Sequence, residues 1–325
     1  MNSNRKIGTL SVSPIGFGCM GMTHAFGAPS DVKEMTSLIA KAVEIGYTLF
    51  DTAECYTGVN SDGTTTYNEE LVGKALTPYR NQIILATKGG VILKGEHLEM
   101  DSRATTLKKS VEESLRKLRT DRIDLYYQHR IDPKVSPEEV AETMNELIKE
   151  GKILHWGVSE ANEEYIRRAH AVCPLTAVQN RYSMMYRDYE RLFPVLEELN
   201  IGFVAFSPLA NGFLSACYGK NEKYDTMDYR RFMPQFSDKG VDENQELLSL
   251  LGDVSESKNA TPAQISLAWI LAHKPYIVPI PGTRKLSRLV ENWKSTEVEL
   301  TPAEVKQIDD ALGVMKMSAV FGGLK

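Results

Sequence analysis

From about residue 30 onward, segments with apolar positions every three or four residues alternate with short runs rich in Val, Ile, Phe and Tyr. That alternation is the rhythm of repeated strand and helix units. In SDVKEMTSLIAKAVEIG the apolar residues fall at Met35, Leu38, Ile39, Ala42 and Val43, with Ser30 where a cap belongs and Gly46 where a helix stops. VSPEEVAETMNELIKEG repeats the grammar. Ser136 and Glu139 form a capping box, Pro137 takes the first helical position and Gly151 follows the end. TPAQ from Thr261 and TPAE from Thr301 open two further helices in the same way.

The apolar runs predict strands at roughly 13–18, 47–51, 82–88, 123–129, 153–158, 176–180, 201–206 and 276–280. Several, QIILATK and IGFVAFS among them, are apolar almost throughout, as strands buried on both faces must be. Eight strand and helix units predict a closed (β/α)8 TIM barrel, with a short N-terminal β-hairpin and extended loops at its C-terminal face. An open doubly wound sheet is the alternative architecture. No Pro- or Ser-rich linker divides the chain, so residues 1–325 read as a single domain. The one long irregular stretch, 210–242, falls where a barrel's βα loops face the active site, and it reads as a loop over substrate or cofactor.

Composition narrows the classes. Hydrophobic residues at 42% and charged residues at 25% supply a core of ordinary size without staples. The formal charge of −5, with no basic stripe, argues against a nucleic-acid partner. Cys19, Cys55, Cys173 and Cys217 include no CxxC pair, so neither a disulfide framework nor a metal site is read from them, and a reducing cytoplasm fits. The opening MNSNRKIGTLSVSP holds no signal-like apolar run, and no window approaches a membrane span, so a soluble protein with no membrane partner is expected. The helix surfaces specify no oligomeric state.

Gly16, Gly18 and Gly21 spell GxGxxG, but the third glycine of a dinucleotide fingerprint should open a helix. Here MTHAFGAPSD follows, and the first clear helix starts about ten residues later. The glycines read instead as a first βα loop whose backbone approaches a ligand.

In a barrel, the polar residues that end apolar runs gather at one rim. Asp51 ends the second run with Tyr56 five residues on, Lys88 ends the third and His129 the fourth. Singly, each is explained by a loop cap, a packed ring, a surface amine or a core histidine. Three successive strands ending in Asp, Lys and His make a carbonyl-reducing site, because hydride addition leaves an oxyanion that must be protonated. Tyr56 would be the acid, its pKa lowered from about 10 by Lys88, itself held by Asp51. A neutral His129 would orient the substrate oxygen.

The segments GFGCMGM, DTAECY, NEELVGKAL, LATKGG, LRKLRTDRIDLYYQHR, GKILHWGVSE, AVQNRYS, AFSPLANGFL and IPGTRKLSRLVEN make the chain resemble the aldo-keto reductase superfamily along nearly its whole length. The resemblance implies a barrel that reduces small carbonyl substrates with NADPH, with a catalytic tetrad on Asp51, Tyr56, Lys88 and His129. It also implies that Ser159 and Gln179 bond the nicotinamide carboxamide, that Phe206 stacks on its ring, and that the first loop passes it near Met20. Ser207 and Leu209 would hold the pyrophosphate. Arg284 and Arg288 would meet the adenosine and its 2′-phosphate, beside Thr283 at a helix start, with Glu291 and Asn292 near the adenine. Glu160 and Phe206 depart from the commoner residues at their positions, and residues 57–66 form a longer, more polar link.

Smaller expectations follow. Cys55 reads as a packed thiol, with a redox role if it were exposed and electropositively placed. His24, His97, His155, His170 and His273 read as structural or surface residues. Met20, Met22 and Phe26 are candidates to line the substrate pocket. Two rival functions remain: an NADPH-binding regulatory module resembling potassium-channel beta subunits, and aldolase or isomerase chemistry with Lys88 as a Schiff-base amine.

Overall fold

A computed structural model describes residues 4–94 and 97–320, with no description of the side chains of 93–97, so the side chain of His97 lies outside the described residues. The chain opens with strands β1 (Arg5–Ile7) and β2 (Leu10–Val12), then β3 (Phe17–Gly18), helix α1 (Val32–Ile45), β4 (Leu49–Asp51), β5 (Thr57–Val59), β6 (Thr65–Tyr67) and α2 (Asn68–Leu76). It continues with β7 (Ile84–Gly89), β8 (Val91–Lys94), β9 (His97–Met100), α3 (Ala104–Leu118), β10 (Leu125–Gln128), α4 (Pro137–Lys149), β11 (Trp156–Ser159) and α5 (Glu163–Val172). The rest comprises β12 (Ala177–Arg181), α6 (Phe193–Glu198), β13 (Gly202–Phe206), α7 (Asp238–Glu243), α8 (Gln245–Lys258), α9 (Pro262–His273), β14 (Ile277–Pro279), α10 (Leu286–Lys294) and α11 (Pro302–Val314).

Eight of the strands pair in parallel in the order β14-β13-β12-β11-β10-β7-β4-β3. The two ends then meet: Gly16 N donates to Pro279 O at 2.9 Å and Gly18 N to Pro281 O at 3.3 Å. This is the (β/α)8 barrel, and its eight strands fall on the eight predicted runs, with β7, β11 and β12 each reaching one residue past the predicted end. The alternation of side chains explains the nearly continuous apolar runs. Leu125, Tyr127, Val204 and Val278 belong to the cluster inside the barrel, whereas Tyr126, Phe203, Ala205 and Ile277 pack outward under the helices.

The N-terminal hairpin closes the bottom. Ile7 pairs with Leu10 across a two-residue turn, with Gly8 at φ +56°, and Ile7, Leu10 and Val12 join the interior cluster. A Cβ on Gly202 would stand 1.9 Å from Ile7 Cγ2, so only glycine admits the plug.

The capping boxes at Ser136, Thr261 and Thr301 are all formed, each with proline in the first turn. At α1 the expected cap is corrected. Asp31, not Ser30, accepts from Lys33 N at 2.8 Å and Glu34 N at 3.0 Å, because Ser30 is drawn back by its own amide to Met22 O. A second correction concerns 57–66, read as a polar link. It contains β5 and most of β6, an antiparallel hairpin with Thr57 opposite Tyr67.

Candidate active site

Parallel pairing puts the strand ends at one rim. Gly18 is level with Asp51, Asp51 with Ala86, and Lys88 with Tyr127, while His129 N donates to Gly89 O just past the end of β10. Asp51 and Lys88 are buried, and Lys88 Nζ donates to Asp51 Oδ1 at 2.5 Å and Thr52 O at 2.7 Å, with Tyr56 Oη at 3.5 Å. Burial works against the ammonium, yet Asp51 and Tyr56 outweigh it and hold the lysine pKa above its ordinary value. An amine held as ammonium does not suit Schiff-base chemistry.

The expectation for Tyr56 needs correction. Burial pushes its pKa above the ordinary 10, and Lys88 recovers only part of that rise. The phenol therefore keeps its proton at neutral pH, which an acid requires, and Lys88 stands where it would stabilise the phenolate after donation.

His129 meets the Tyr56 ring edge-on at 5.8 Å. Burial, then the charges of Lys88 and Arg130, press its pKa well below 6.5, so the ring is neutral. Cys55 Sγ lies 3.5 Å from His129 Nδ1. Burial pushes the thiol up to about 12, so Cys55 keeps its proton, and an S–H given to Nδ1 leaves the ring proton on Nε2. Cys55 is thus a thiol packed against His129, without the low pKa a redox switch needs.

Gln179 Nε2 donates to Asp51 Oδ2 at 2.8 Å, which satisfies the second carboxylate oxygen. Ser159 is buried and accepts from Arg130 Nη1 at 3.2 Å, and Arg130 also donates to His129 O at 2.6 Å. Glu160, at φ +56°, lies 3.4 Å from Arg130 and 3.5 Å from Arg181, whose guanidinium stands 5.8 Å from the Phe206 ring. Past β13 the backbone is left-handed at Ser207, Ala210, Asn211 and Gly212, conformations that cost non-glycine residues energy, and the turn is closed by Ala210 N donating to Ser207 O and Gly212 N to Leu209 O, each at 2.9 Å. Leu209 lies within that turn, partly buried.

The outer residues are placed differently from one another. Arg288 donates to Glu291 Oε2 at 2.6 Å and to Cys217 Sγ at 2.9 Å, which brings loop 210–242 against α10. Arg284 is committed to the first loop, through Gly21 O and Ala28 O, with Nη2 buried and without a partner among the described residues. Thr283 Oγ1 accepts from Lys285 N ahead of α10, and Asn292 lies on the buried side of that helix. Met20 is half-buried at the first loop, whereas Met22 is buried in the outer core. Phe26 pairs with Asp228 of loop 210–242, and Tyr229 N donates to Ala25 O, so that loop does cross the rim.

Sequence reasoning missed two residues here. His24 stacks on Tyr56 at 5.7 Å, and Arg130 borders His129 and Ser159. Arg130 carried a signal in its adjacency to His129, while His24 carried none, since its place depends on how the first loop folds.

Comparison with known proteins agrees with this geometry. Residues 14–312 match the profile of the Aldo/keto reductase family. A probable aldo-keto reductase 1 of Glycine max is 38% identical over 314 residues, spanning 95% of this chain and 88% of that protein. The aldo-keto reductase yakc [NADP(+)] of Schizosaccharomyces pombe is 36% identical over 315 residues, spanning 94% and 90%. Among solved structures, glycerol dehydrogenase from Gluconobacter oxydans superposes with a TM-score of 0.86 at 26% identity, covering 100% of this chain and 99% of that one. A holo-form aldo-keto reductase from Bacillus halodurans gives 0.77 at 28%, covering 96% of both. With residues 14–312 matched by the family profile and relatives 36–38% identical along nearly its whole length, the chain belongs to the aldo/keto reductase family.

Proposed function

We propose that the protein reduces small aldehydes or ketones with NADPH, with Tyr56 as the general acid. The observation that carries the reading is the placement of Lys88 Nζ, 2.5 Å from Asp51 and 3.5 Å from a Tyr56 hydroxyl that burial keeps protonated. The relative from Schizosaccharomyces pombe, whose name carries NADP(+), supports the choice of cofactor.

The donor set fits the cofactor. Arg288, only partly buried, suits a phosphate; the buried Ser159 and Gln179 suit a carboxamide; and the Ser207 hydroxyl, with the turn amides not spent on Ser207 O and Leu209 O, suits a pyrophosphate. Phe206 would lie under the nicotinamide. Met20, Leu209, Thr283, Glu291 and Asn292 would border the remainder, and Arg284 serves by holding the first loop in place. Bound NADPH supplies the hydride.

The chain does the rest. The substrate carbonyl oxygen accepts from Tyr56 Oη and from His129 Nε2–H, which orients and polarises it. As negative charge grows on that oxygen, Tyr56 gives up its proton, and Lys88, fixed by Asp51, neutralises the phenolate. The test is NADPH oxidation against a panel of aldehydes, ketones and dicarbonyls, with Tyr56→Phe alongside. The variant should bind NADPH as the wild type does while kcat falls at least about a hundredfold. Undiminished turnover would remove Tyr56 as the acid. Tight NADPH binding without turnover on any compound by the wild type would favour the regulatory reading.

A further inference from the structure

His24 has no place in that proton path, yet it is built into the site. Its ring stacks on Tyr56 with centroids 5.7 Å apart and planes 20° apart, and meets Tyr229 edge-on at 5.7 Å. The loop that carries it is fixed on both sides. Asn68 Nδ2 donates to Cys19 O at 3.0 Å and Thr23 Oγ1 at 2.8 Å, and Tyr229 N donates to Ala25 O at 2.8 Å.

His24 Nδ1 lies 2.8 Å from Thr57 O. A carbonyl oxygen only accepts, so Nδ1 carries the proton. Burial lowers the ring's pKa, and the Thr57 contact opposes that only in part. The ring is then neutral and Nε2 presents a lone pair. Among the described residues no group donates to Nε2, and it is not one of the sealed unpaired atoms of the interior. The site thus offers two donors, Tyr56 Oη–H and His129 Nε2–H, and one acceptor carried on the ring stacked against Tyr56.

We propose that His24 Nε2 is the acceptor of a substrate subsite next to the reaction centre, and that this subsite takes carbonyl compounds bearing a hydroxyl on the adjacent carbon. The inference rests on the carbonyl-reduction reading. A carbonyl oxygen satisfies the two donors but brings no donor of its own. A plain aldehyde that displaces water leaves the His24 lone pair unmet, whereas a neighbouring hydroxyl meets it.

The experiment compares NADPH-dependent kcat/KM for glycolaldehyde against acetaldehyde and for lactaldehyde against propanal, pairs that differ only in that hydroxyl. The wild type should favour the hydroxylated member by about tenfold or more. His24→Phe keeps a ring against Tyr56 but loses the acceptor, and its ratio should fall to within about twofold. His24→Gln, whose amide oxygen reaches the position of Nε2, should recover part of the preference. Any general loss through a disturbed Tyr56 lowers both members of a pair and cancels in the ratio. A wild-type ratio near one, or equal ratios in wild type and His24→Phe, overturns the subsite and leaves the reductase reading intact. Absence of turnover on all four compounds by the wild type overturns both. Should His24→Phe fail to fold, His24→Leu, which also lacks the acceptor, takes its place: a preference near one in the wild type, or one untouched in the leucine variant, overturns the subsite.

Discussion

At the scale of single residues, the site works through small biases on where protons rest. Cys55 Sγ lies 3.5 Å from His129 Nδ1, and as the donor there it would favour the Nε2–H form. Cys55→Val removes that donor and should lower kcat by about three- to tenfold, while Cys55→Ser retains it. The 15N shifts of His129 report the tautomer directly, and an unchanged tautomer in the valine variant would count against the assignment. Arg288→Ala should weaken NADPH about ten- to a hundredfold more than NADH, since a charged hydrogen bond to the 2′-phosphate is lost in one case only. Equal weakening, measured by fluorescence titration, would place the 2′-phosphate elsewhere. The four rim residues were legible because each sits at a fixed offset from an apolar run. His24 and Arg284 were not, because a loop residue's partners depend on the path of the loop: one lies against Tyr56, and the other binds the loop that carries it.

At the scale of elements, Glu54 ties the segment after β4 to the turn after β7. Its Oε1 accepts from Gly90 N at 3.1 Å, and its amide donates to Lys88 O at 3.1 Å. Burial raises its pKa to about 7, with Ser110 opposing and Glu69 reinforcing the shift. Between the ordinary value near 4.5 and about 7, the folded protein holds a proton that the unfolded chain has released. This contribution to stability is therefore complete below 4.5 and lost as pH rises through 7, amounting to about 3 kcal/mol at most. Glu54→Gln keeps an acceptor for Gly90 and cannot ionise. It should gain more stability over the wild type at pH 8 than at pH 5.5, by about 2 kcal/mol, in urea unfolding at both values; the same difference at both would exclude the titration. Comparing the two proteins cancels the histidines. Helix starts such as Thr261 and Thr301 were readable because a capping box is complete within four residues. The β5 and β6 hairpin was not, because its pairs, Thr57 with Tyr67, Gly58 with Thr66 and Val59 with Thr65, carry no run of apolar alternation.

At the scale of the whole molecule, barrel closure was inferred from the count of units, and it is realised by backbone bonds from Gly16 and Gly18 to the segment around Pro279. The fit of the N-terminal plug against the barrel floor could not be read from the sequence, since it depends on Ile7 and Gly202 meeting across the interior. Gly202→Val should expel the plug, cost at least about 1–3 kcal/mol, and speed proteolysis ahead of residue 13. Unchanged proteolysis would show that the floor yields instead.

The plug is also anchored from the side. Arg5 donates to Leu271 O, to Lys274 O at 2.7 Å and to Ile277 O at 3.0 Å, at the end of α9 and the start of β14. During synthesis Arg5 therefore leaves the ribosome roughly fifteen to fifty seconds before the carbonyls it binds. Until β14 arrives, the nascent chain carries an unsealed curved sheet with a loose hairpin beneath it. Closing the floor is then a late event in the life of each molecule, and the interval before it is when a chaperone has something to hold.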